Sequence, residues 1–140
     1  MTKIVKGLEV EAPPERVFAL VSVPEKWSKL HTNVKAASSN GSKAHWVYGW
    51  GRMKVESNTE VTENEENRIY AFHQTDGFFK NAQTRLEIKP RKKGSAITWT
   101  VEYQLPYSFL GKLVDKLKAS KELEAGMGRS FENLRQLAER

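Results

Sequence analysis

Hydrophobic and polar positions recur along this chain with two different periods, and the changes of period divide it into segments. Residues Lys3 to Glu11 alternate with a period of two, which predicts a half-buried β-strand. Two short helical patterns follow, beginning at Pro14 and at Pro24, where proline suits the first turn of a helix. The period returns to two from His31 to Leu105 and becomes 3.6 after Pro106.

The middle segment predicts consecutive antiparallel hairpins. Its turn signals are Asn40-Gly41, Asn64 to Asn67, Asp76-Gly77 and Lys92 to Gly94. The clearest alternations run from Met53 to Val61 and from Ile97 to Leu105, each with one apolar and one polar register. Such strands are typical of a sheet that is covered on one face only.

The last segment predicts one long helix from Phe109 to Ala138 with a broad apolar stripe. At 1.5 Å per residue it would run about 45 Å, long enough to cross a whole sheet. Gly126 and Gly128 interrupt it, and each would cost roughly 1 kcal/mol relative to alanine in an exposed helix. We therefore expect close packing or a bend at these two positions.

The order of elements is a strand, two short helices, about six strands and one long helix. Its apolar faces are satisfied if the sheet curls around the long helix while the short helices close one corner. The sequence therefore predicts an α+β helix-grip fold: a curved antiparallel sheet of about seven strands around the C-terminal helix, as one domain over residues 1–140.

Composition and charge narrow the function classes. A chain of 140 residues with 39% hydrophobic residues suits one domain with one core. No stretch approaches the roughly 20 apolar residues of a membrane span, and the N-terminus does not have the pattern of a signal peptide, so we expect a cytoplasmic protein. The pattern leaves the oligomeric state open.

The net charge is +6, which would favour acidic partners if the excess were clustered. Lysine and arginine are mostly interspersed with glutamate, and we interpret the basic runs at 90–93 and 112–121 as solvated surface. We therefore do not expect nucleic-acid binding. An alternative is a basic surface for nucleic acid or an acidic partner, formed by Lys112, Lys116, Lys118 and Lys121.

Metal and cofactor chemistry is not indicated. The chain has no cysteine, and its three histidines show no zinc-ligand spacing. Gly49-x-Gly51 lies in a predicted strand without the following helix that a nucleotide-binding fingerprint requires. We predict neither a metal site nor a cofactor.

Three segments resemble a known superfamily. They are the entry from Glu11 to Phe18 with Pro24 to Trp27, the strand from Thr98 to Pro106, and the tail from Leu110 to Asp115 leading to Ser130 to Leu134. These segments resemble the START-like (SRPBCC) superfamily, in its polyketide cyclase/dehydrase-like branch. The resemblance implies a cavity between the sheet and the long helix that holds a hydrophobic or amphipathic molecule, such as a lipid, sterol, isoprenoid or polyketide.

Large aromatic side chains are the main candidates for lining such a cavity, because they combine apolar area with a polar atom. Phe78 and Phe79, in a predicted loop, would form part of its entrance, and the first half of the long helix would form the opposing wall. The alternative is that these rings simply fill the core, an alternative that applies more to Trp99 than to Trp46 and Tyr48. The predicted ligand-binding residues are Trp27, His31, Trp46, Tyr48, Phe72, Phe79, Leu86, Trp99, Tyr103, Leu110, Leu113, Val114 and Leu117.

A catalytic alternative uses the same cavity. A cyclase or dehydrase requires an acid–base pair, for which the candidates are His31, His73, Arg85 and Tyr103. Arg85 falls on the outward register of its strand, and the alternation around His73 does not decide which register faces inward. The sequence shows no recognisable motif for a Ser-His-Asp set, a phosphate-binding loop or a carboxylate pair. We therefore favour a ligand-binding protein without catalytic residues over an enzyme.

Overall fold

The computed structural model describes residues 2–50, 52–77, 80–104 and 113–140, except for the side chains of residues 50, 53, 80, 113–120 and 122. Within these residues the chain forms seven strands, three α-helices and one turn of 3₁₀-helix over Pro24–Lys26. The elements are β1 (Thr2–Val10), α1 (Pro14–Val21), α2 (Trp27–Leu30), β2 (Val34–Asn40), β3 (Lys43–Trp50), β4 (Met53–Glu65), β5 (Ile69–Gly77), β6 (Lys80–Arg91), β7 (Gly94–Gln104) and α3 (Leu113–Ala138).

The strands form one antiparallel sheet in the order β1-β7-β6-β5-β4-β3-β2. Consecutive strands from β2 to β7 pair as hairpins, while β1 pairs with β7 along its whole length. Four of the five hairpins reverse at or beside a predicted turn signal, whereas no signal predicted the reversal between Trp50 and Met53. Helices α1, α2 and α3 contact one another and cover the sheet. The predicted α+β helix-grip fold is therefore confirmed.

The two short helices begin at the prolines that the sequence indicates. Pro14 occupies the first turn of α1, which buries Val17 and Val21, and Pro24 begins the 3₁₀ turn that leads into α2. Helix α2 is one turn long, yet it buries Trp27 and Leu30. Each short helix therefore fixes a few large apolar side chains above the sheet.

Gly94 shapes the corner where β1 passes into α1. Its φ of 134° lies in the region that favours glycine, and a Cβ there would lie 2.9 Å from the backbone nitrogen of Ala12. The buried hydroxyl of the adjacent Ser95 donates a hydrogen bond to the carbonyl of Ala12 at 2.7 Å. The β6–β7 turn is therefore docked against the end of β1.

Helix α3 buries Met127, Phe131, Leu134 and Ala138. Of the close packing or bend expected at the two glycines, close packing is found at Gly126, where a Cβ would lie 2.9 Å from Asn33 Oδ1. At Gly128 a Cβ would meet no atom within 4 Å. The predicted start of the helix at Phe109 lies outside the described residues.

The structure also bears on the expected membrane spans and on the proposed basic surface. Among the described residues, no helix is long and apolar enough to cross a membrane. Of the lysines proposed as a basic surface, Lys121 is exposed. Lys112 lies outside the described residues, as do the side chains of Lys116 and Lys118.

Candidate functional site

Four large rings meet between the sheet and α2. Trp27 lies in edge-to-face contact with Trp46, with Phe72 and with Trp99, at centroid distances of 5.7, 6.1 and 5.7 Å. Trp46 and Phe72 stack at 5.2 Å across the sheet. All four side chains are buried, so this aromatic cluster occupies the middle of the layer between sheet and helices.

Hydrogen bonds hold two of these indoles in place. Trp27 Nε1 donates to the carbonyl of Val21 at 2.9 Å, which ties α2 to the end of α1. Trp46 Nε1 donates to Thr59 Oγ1 on the neighbouring strand β4 at 2.7 Å. Trp99 Nε1, by contrast, is buried and has no hydrogen-bond acceptor among the described residues. The cluster therefore contains one unpaired indole N–H.

A cavity of about 90 Å³ lies beside the aromatic cluster. It has room for several water molecules but is smaller than the roughly 300–1,000 Å³ typical of sites for drug-sized ligands. The described residues that line it are Trp27, His31, Val34, Trp46, Tyr48, Ser57, Thr59, Phe72, Gln74, Ala82, Gln83, Thr84, Trp99, Val101, Tyr103 and Leu123.

The sheet side of the cavity also carries hydroxyl and amide groups. Ser57 and Thr59 on β4 are buried, and Thr59 pairs with Gln74 on β5. Thr84 on β6 pairs with Phe72. The wall is therefore a mixture of flat apolar rings and uncharged polar groups, which suits an apolar molecule bearing one or two polar atoms.

His31 lines the cavity at the end of α2. It is only 6% exposed, and its ring lies edge-to-face with Trp99 at a centroid distance of 5.8 Å. The backbone N–H of Asn33 donates to Nδ1 of His31 at 3.1 Å. Burial, assisted by the positive charge of Arg129, lowers the pKa of His31 to about 4, so the ring is neutral at pH 7.

Tyr48, which is half-buried, is a second ionisable group of the wall. Its ring stacks on Trp46 at 6.3 Å, and burial raises its pKa far above the usual value for a phenol. The hydroxyl therefore keeps its proton throughout the physiological range. With His31 neutral as well, both of these cavity groups are uncharged at pH 7.

The structure brings seven of the thirteen predicted ligand-binding residues together around the cavity: Trp27, His31, Trp46, Tyr48, Phe72, Trp99 and Tyr103. Leu86 is buried in the core but is not part of the cavity wall. Phe79 and Leu110 lie outside the described residues. Leu113, Val114 and Leu117 lie in α3, but their side chains are outside the description.

Sequence reasoning missed the smaller and more polar part of the wall. The residues not predicted are Val34, Ser57, Thr59, Gln74, Ala82, Gln83, Thr84, Val101 and Leu123. The signal for several of them was available, because Ser57, Thr59 and Thr84 share a register with the apolar residues of their strands. Selecting aromatic residues alone left them out.

The structure separates the acid–base candidates. Phe72 and Gln74 line the cavity, so His73 between them points to the other face of β5. Arg85 also lies on the outer face, where it forms ion pairs with Glu63 at 3.4 Å and Glu87 at 2.8 Å.

Of the four candidates, His31 and Tyr103 therefore share the cavity. Among the described residues, no three side chains of the metal-ligating types His, Asp and Glu are grouped so that they could hold an ion.

The chain matches a known protein family. Residues 1–139 match the family described as "Polyketide cyclase / dehydrase and lipid transport", and the chain belongs to this family. No curated protein matches the chain.

Solved structures from several sources share the fold. A protein of Thermus thermophilus aligns with a TM-score of 0.83 at 21% identity, covering 98% of this chain and 97% of that one. A START superfamily protein of Mycobacterium smegmatis aligns with a TM-score of 0.77 at 19% identity, covering 98% and 97%.

The di-domain aromatase/cyclase StfQ of the steffimycin biosynthetic pathway aligns with a TM-score of 0.78 at 11% identity. This chain is covered over 98% of its length but StfQ over only 50%, so the match corresponds to half of the di-domain protein. At these identities the comparisons establish the shared fold.

Proposed function

We propose that this protein binds a small hydrophobic or amphipathic molecule in the cavity between its sheet and α3. The observation that carries the proposal is the cavity beside four buried aromatic rings, with hydroxyl and amide groups in the same wall. Apolar surface supplies affinity in such a site, and a few polar groups orient the ligand. Membership of a family that includes lipid transport supports this interpretation.

The cavity volume indicates which ligands enter without rearrangement. A dry apolar cavity of about 150 Å³ holds benzene in an engineered protein. A space of about 90 Å³ therefore suits a one-ring compound after small side-chain adjustments. A sterol or a long acyl chain exceeds this volume, so it would have to extend beyond the cavity or displace the surrounding rings.

A second candidate is acid–base catalysis of the cyclase or dehydrase type. The observation that favours it is that His31 and Tyr103 line the same cavity. A ring with a pKa of about 4 is a weak base at pH 7, so ligand binding is the stronger proposal for His31.

The test is to fill the cavity and measure binding of a one-ring probe. Ala82 lines the cavity, and Ala82→Leu adds three carbon atoms to that wall. Ala96 lies on β7 between buried Ser95 and Ile97 and points away from the cavity, so Ala96→Leu is the matched control. Ethylbenzene binding is followed by calorimetry and by amide NMR shifts.

We expect the wild type and Ala96→Leu to bind ethylbenzene alike and Ala82→Leu to bind it at least tenfold more weakly. Salt should barely change this binding, whereas a basic-surface interaction would weaken steeply with salt. Native mass spectrometry of the purified protein then searches for a retained natural ligand. Equal ethylbenzene affinity in all three proteins would place binding elsewhere and refute the proposal.

A further inference from the structure

The hydrogen bond that Nδ1 of His31 makes determines where the ring carries its proton. A backbone N–H can only donate, so the bond from Asn33 N to His31 Nδ1 requires a lone pair on that nitrogen. A protonated imidazolium has none, and a neutral ring with a lone pair on Nδ1 carries its hydrogen on Nε2. The geometry therefore assigns the neutral tautomer of His31 with Nε2–H as the donor.

Asn33 is itself held in position, which makes this assignment rigid. Its side-chain amide donates to the carbonyl of Gly49 at 3.0 Å, and its backbone carbonyl accepts from the N–H of Gly49 at 2.8 Å. Gly126 of α3 closes the other side, because a Cβ there would lie 2.9 Å from Asn33 Oδ1 and 3.6 Å from His31 Cε1. Strand β3 and α3 thus clamp the Asn33–His31 pair.

With Nδ1 occupied, Nε2 is the polar atom of His31 that can serve the cavity. Covering this donor with a ligand that has no acceptor is unfavourable, so a ligand that supplies an acceptor gains relative to one that does not. Trp99 Nε1–H, in the ring packed against His31, is a second donor with no acceptor among the described residues. Asn33 Oδ1 is also buried without a hydrogen-bond partner among the described residues, but Asn33 is not part of the cavity wall. The wall at this corner therefore presents two donors, and the histidine carries no positive charge.

We propose that Nε2–H of His31 donates a hydrogen bond to a carbonyl oxygen of the bound molecule, so that the cavity prefers neutral carbonyl compounds to hydrocarbons of the same shape. This inference rests on the proposed function and adds the chemical class of the ligand. Arg129 is exposed on α3 and is the charged group that acts on His31. The attraction between Arg129 and an anionic ligand would be screened by solvent. It would therefore not offset the cost of burying a carboxylate beside a neutral ring.

The experiment compares three one-ring probes that differ in one group. Ethylbenzene and acetophenone have the same carbon skeleton with a CH₂ or a C=O beside the ring, and benzoate carries a carboxylate at that place. Affinities are measured for the wild type, for His31→Phe, which keeps a ring against Trp99, and for His45→Phe. His45 lies on the outer surface, where it bonds to Asn58 and Glu56, and serves as the matched control.

We expect the wild type and His45→Phe to prefer acetophenone to ethylbenzene by roughly three- to tenfold, the worth of one net hydrogen bond, and to bind benzoate most weakly. His31→Phe should lose the preference for acetophenone while still binding ethylbenzene. Equal binding of acetophenone and ethylbenzene by the wild type, tighter binding of benzoate, or an unchanged preference in His31→Phe would overturn the inference while leaving the proposed function standing. Failure to bind any probe would refute both.

A second measurement needs no variant. In ¹⁵N-labelled wild-type protein, the ring nitrogens of His31 should show the Nε2–H tautomer, and acetophenone should shift Nε2 while ethylbenzene does not. The other tautomer, or equal shifts with both probes, would contradict the inference even if His31→Phe fails to fold.

Discussion

The two ends of the layer between sheet and helices are built from different side chains. Strand β7 crosses both: Ile97 lies at the end that α1 and the last turns of α3 cover, whereas Trp99 and Tyr103 lie beside the cavity. The first end is packed with branched aliphatic residues, such as Ile88 opposite Ile97. The second contains large flat rings that meet edge to face. Aliphatic side chains fill the first end, while rings held at fixed angles leave a space at the second.

The largest expected effect is a difference in the free energy of unfolding lost when an aliphatic side chain is truncated at one end or the other. Ile97→Ala should lower the free energy of unfolding by about 3 kcal/mol, because it opens a void around a side chain that is only 1% exposed. Val101→Ala, in the cavity wall, should cost about 1 kcal/mol because its methyl groups already face a void on one side.

Urea unfolding measures both variants, with Ile88→Ala as a second example of the same substitution at the packed end. A loss at Val101 as large as that at Ile97 would show that the cavity end is packed as densely as the other end.

The next effect concerns the buried histidine at the cavity end. Its folded pKa of about 4 lies below the unfolded value of 6.5, so protonation favours the unfolded chain. The stabilisation is present above pH 6.5 and is lost as the pH falls towards 4. Between pH 7 and pH 5 we expect His31 to account for a loss of about 2 kcal/mol.

Urea unfolding of the wild type and His31→Phe at both pH values isolates this contribution, because the other titrating groups are common to both proteins. Outer-face His45, whose pKa is raised by Asn58 and then Glu56, changes stability in the opposite direction and remains in both. Parallel pH profiles for the two proteins would mean that His31 is solvated rather than enclosed at the cavity end.

The smallest expected effect is the difference in stability between alanine substitutions at two glycines of α3. Gly128→Ala should stabilise the protein by about 1 kcal/mol, because alanine favours helix and nothing lies within 4 Å of the added carbon. Gly126→Ala introduces a contact with the anchored Asn33 and should leave that variant roughly 1–3 kcal/mol less stable than Gly128→Ala.

Thermal unfolding gives the difference directly. Equal stability of the two alanine variants would show that α3 does not clamp the Asn33–His31 pair, and would weaken the rigid tautomer on which the ligand inference depends.

Local patterns predicted most of the fold. The alternation of Ile97, Trp99, Val101 and Tyr103 identified the inner face of β7, and the prolines located both short helices. These signals work because strand and helix periods follow directly from which face is buried. The register of β5 was not predictable, because Ile69 to Phe72 are all buried and leave no polar face to read.

The residues of the candidate site likewise divide into those that the sequence predicted and those that it did not. Trp27, Trp46 and Trp99 were identified because large rings at inward positions carry a strong signal. Ser57 and Thr59 were missed because small polar residues inside a sheet have no such signal until a cavity adjoins them. The role of Asn33 depends on Gly49 and Gly126, which are distant in sequence, so no local pattern could indicate it.

The order and faces of the elements are properties of the sequence alone, because each depends only on residues a few positions apart. The cavity, the neutral state of His31 and the Trp99 indole N–H, which finds no acceptor in the described part of the chain, are properties of the tertiary structure. They depend on how side chains from α2, the sheet and α3 fill one shared space, and residual space and burial are set only when all these elements are packed together.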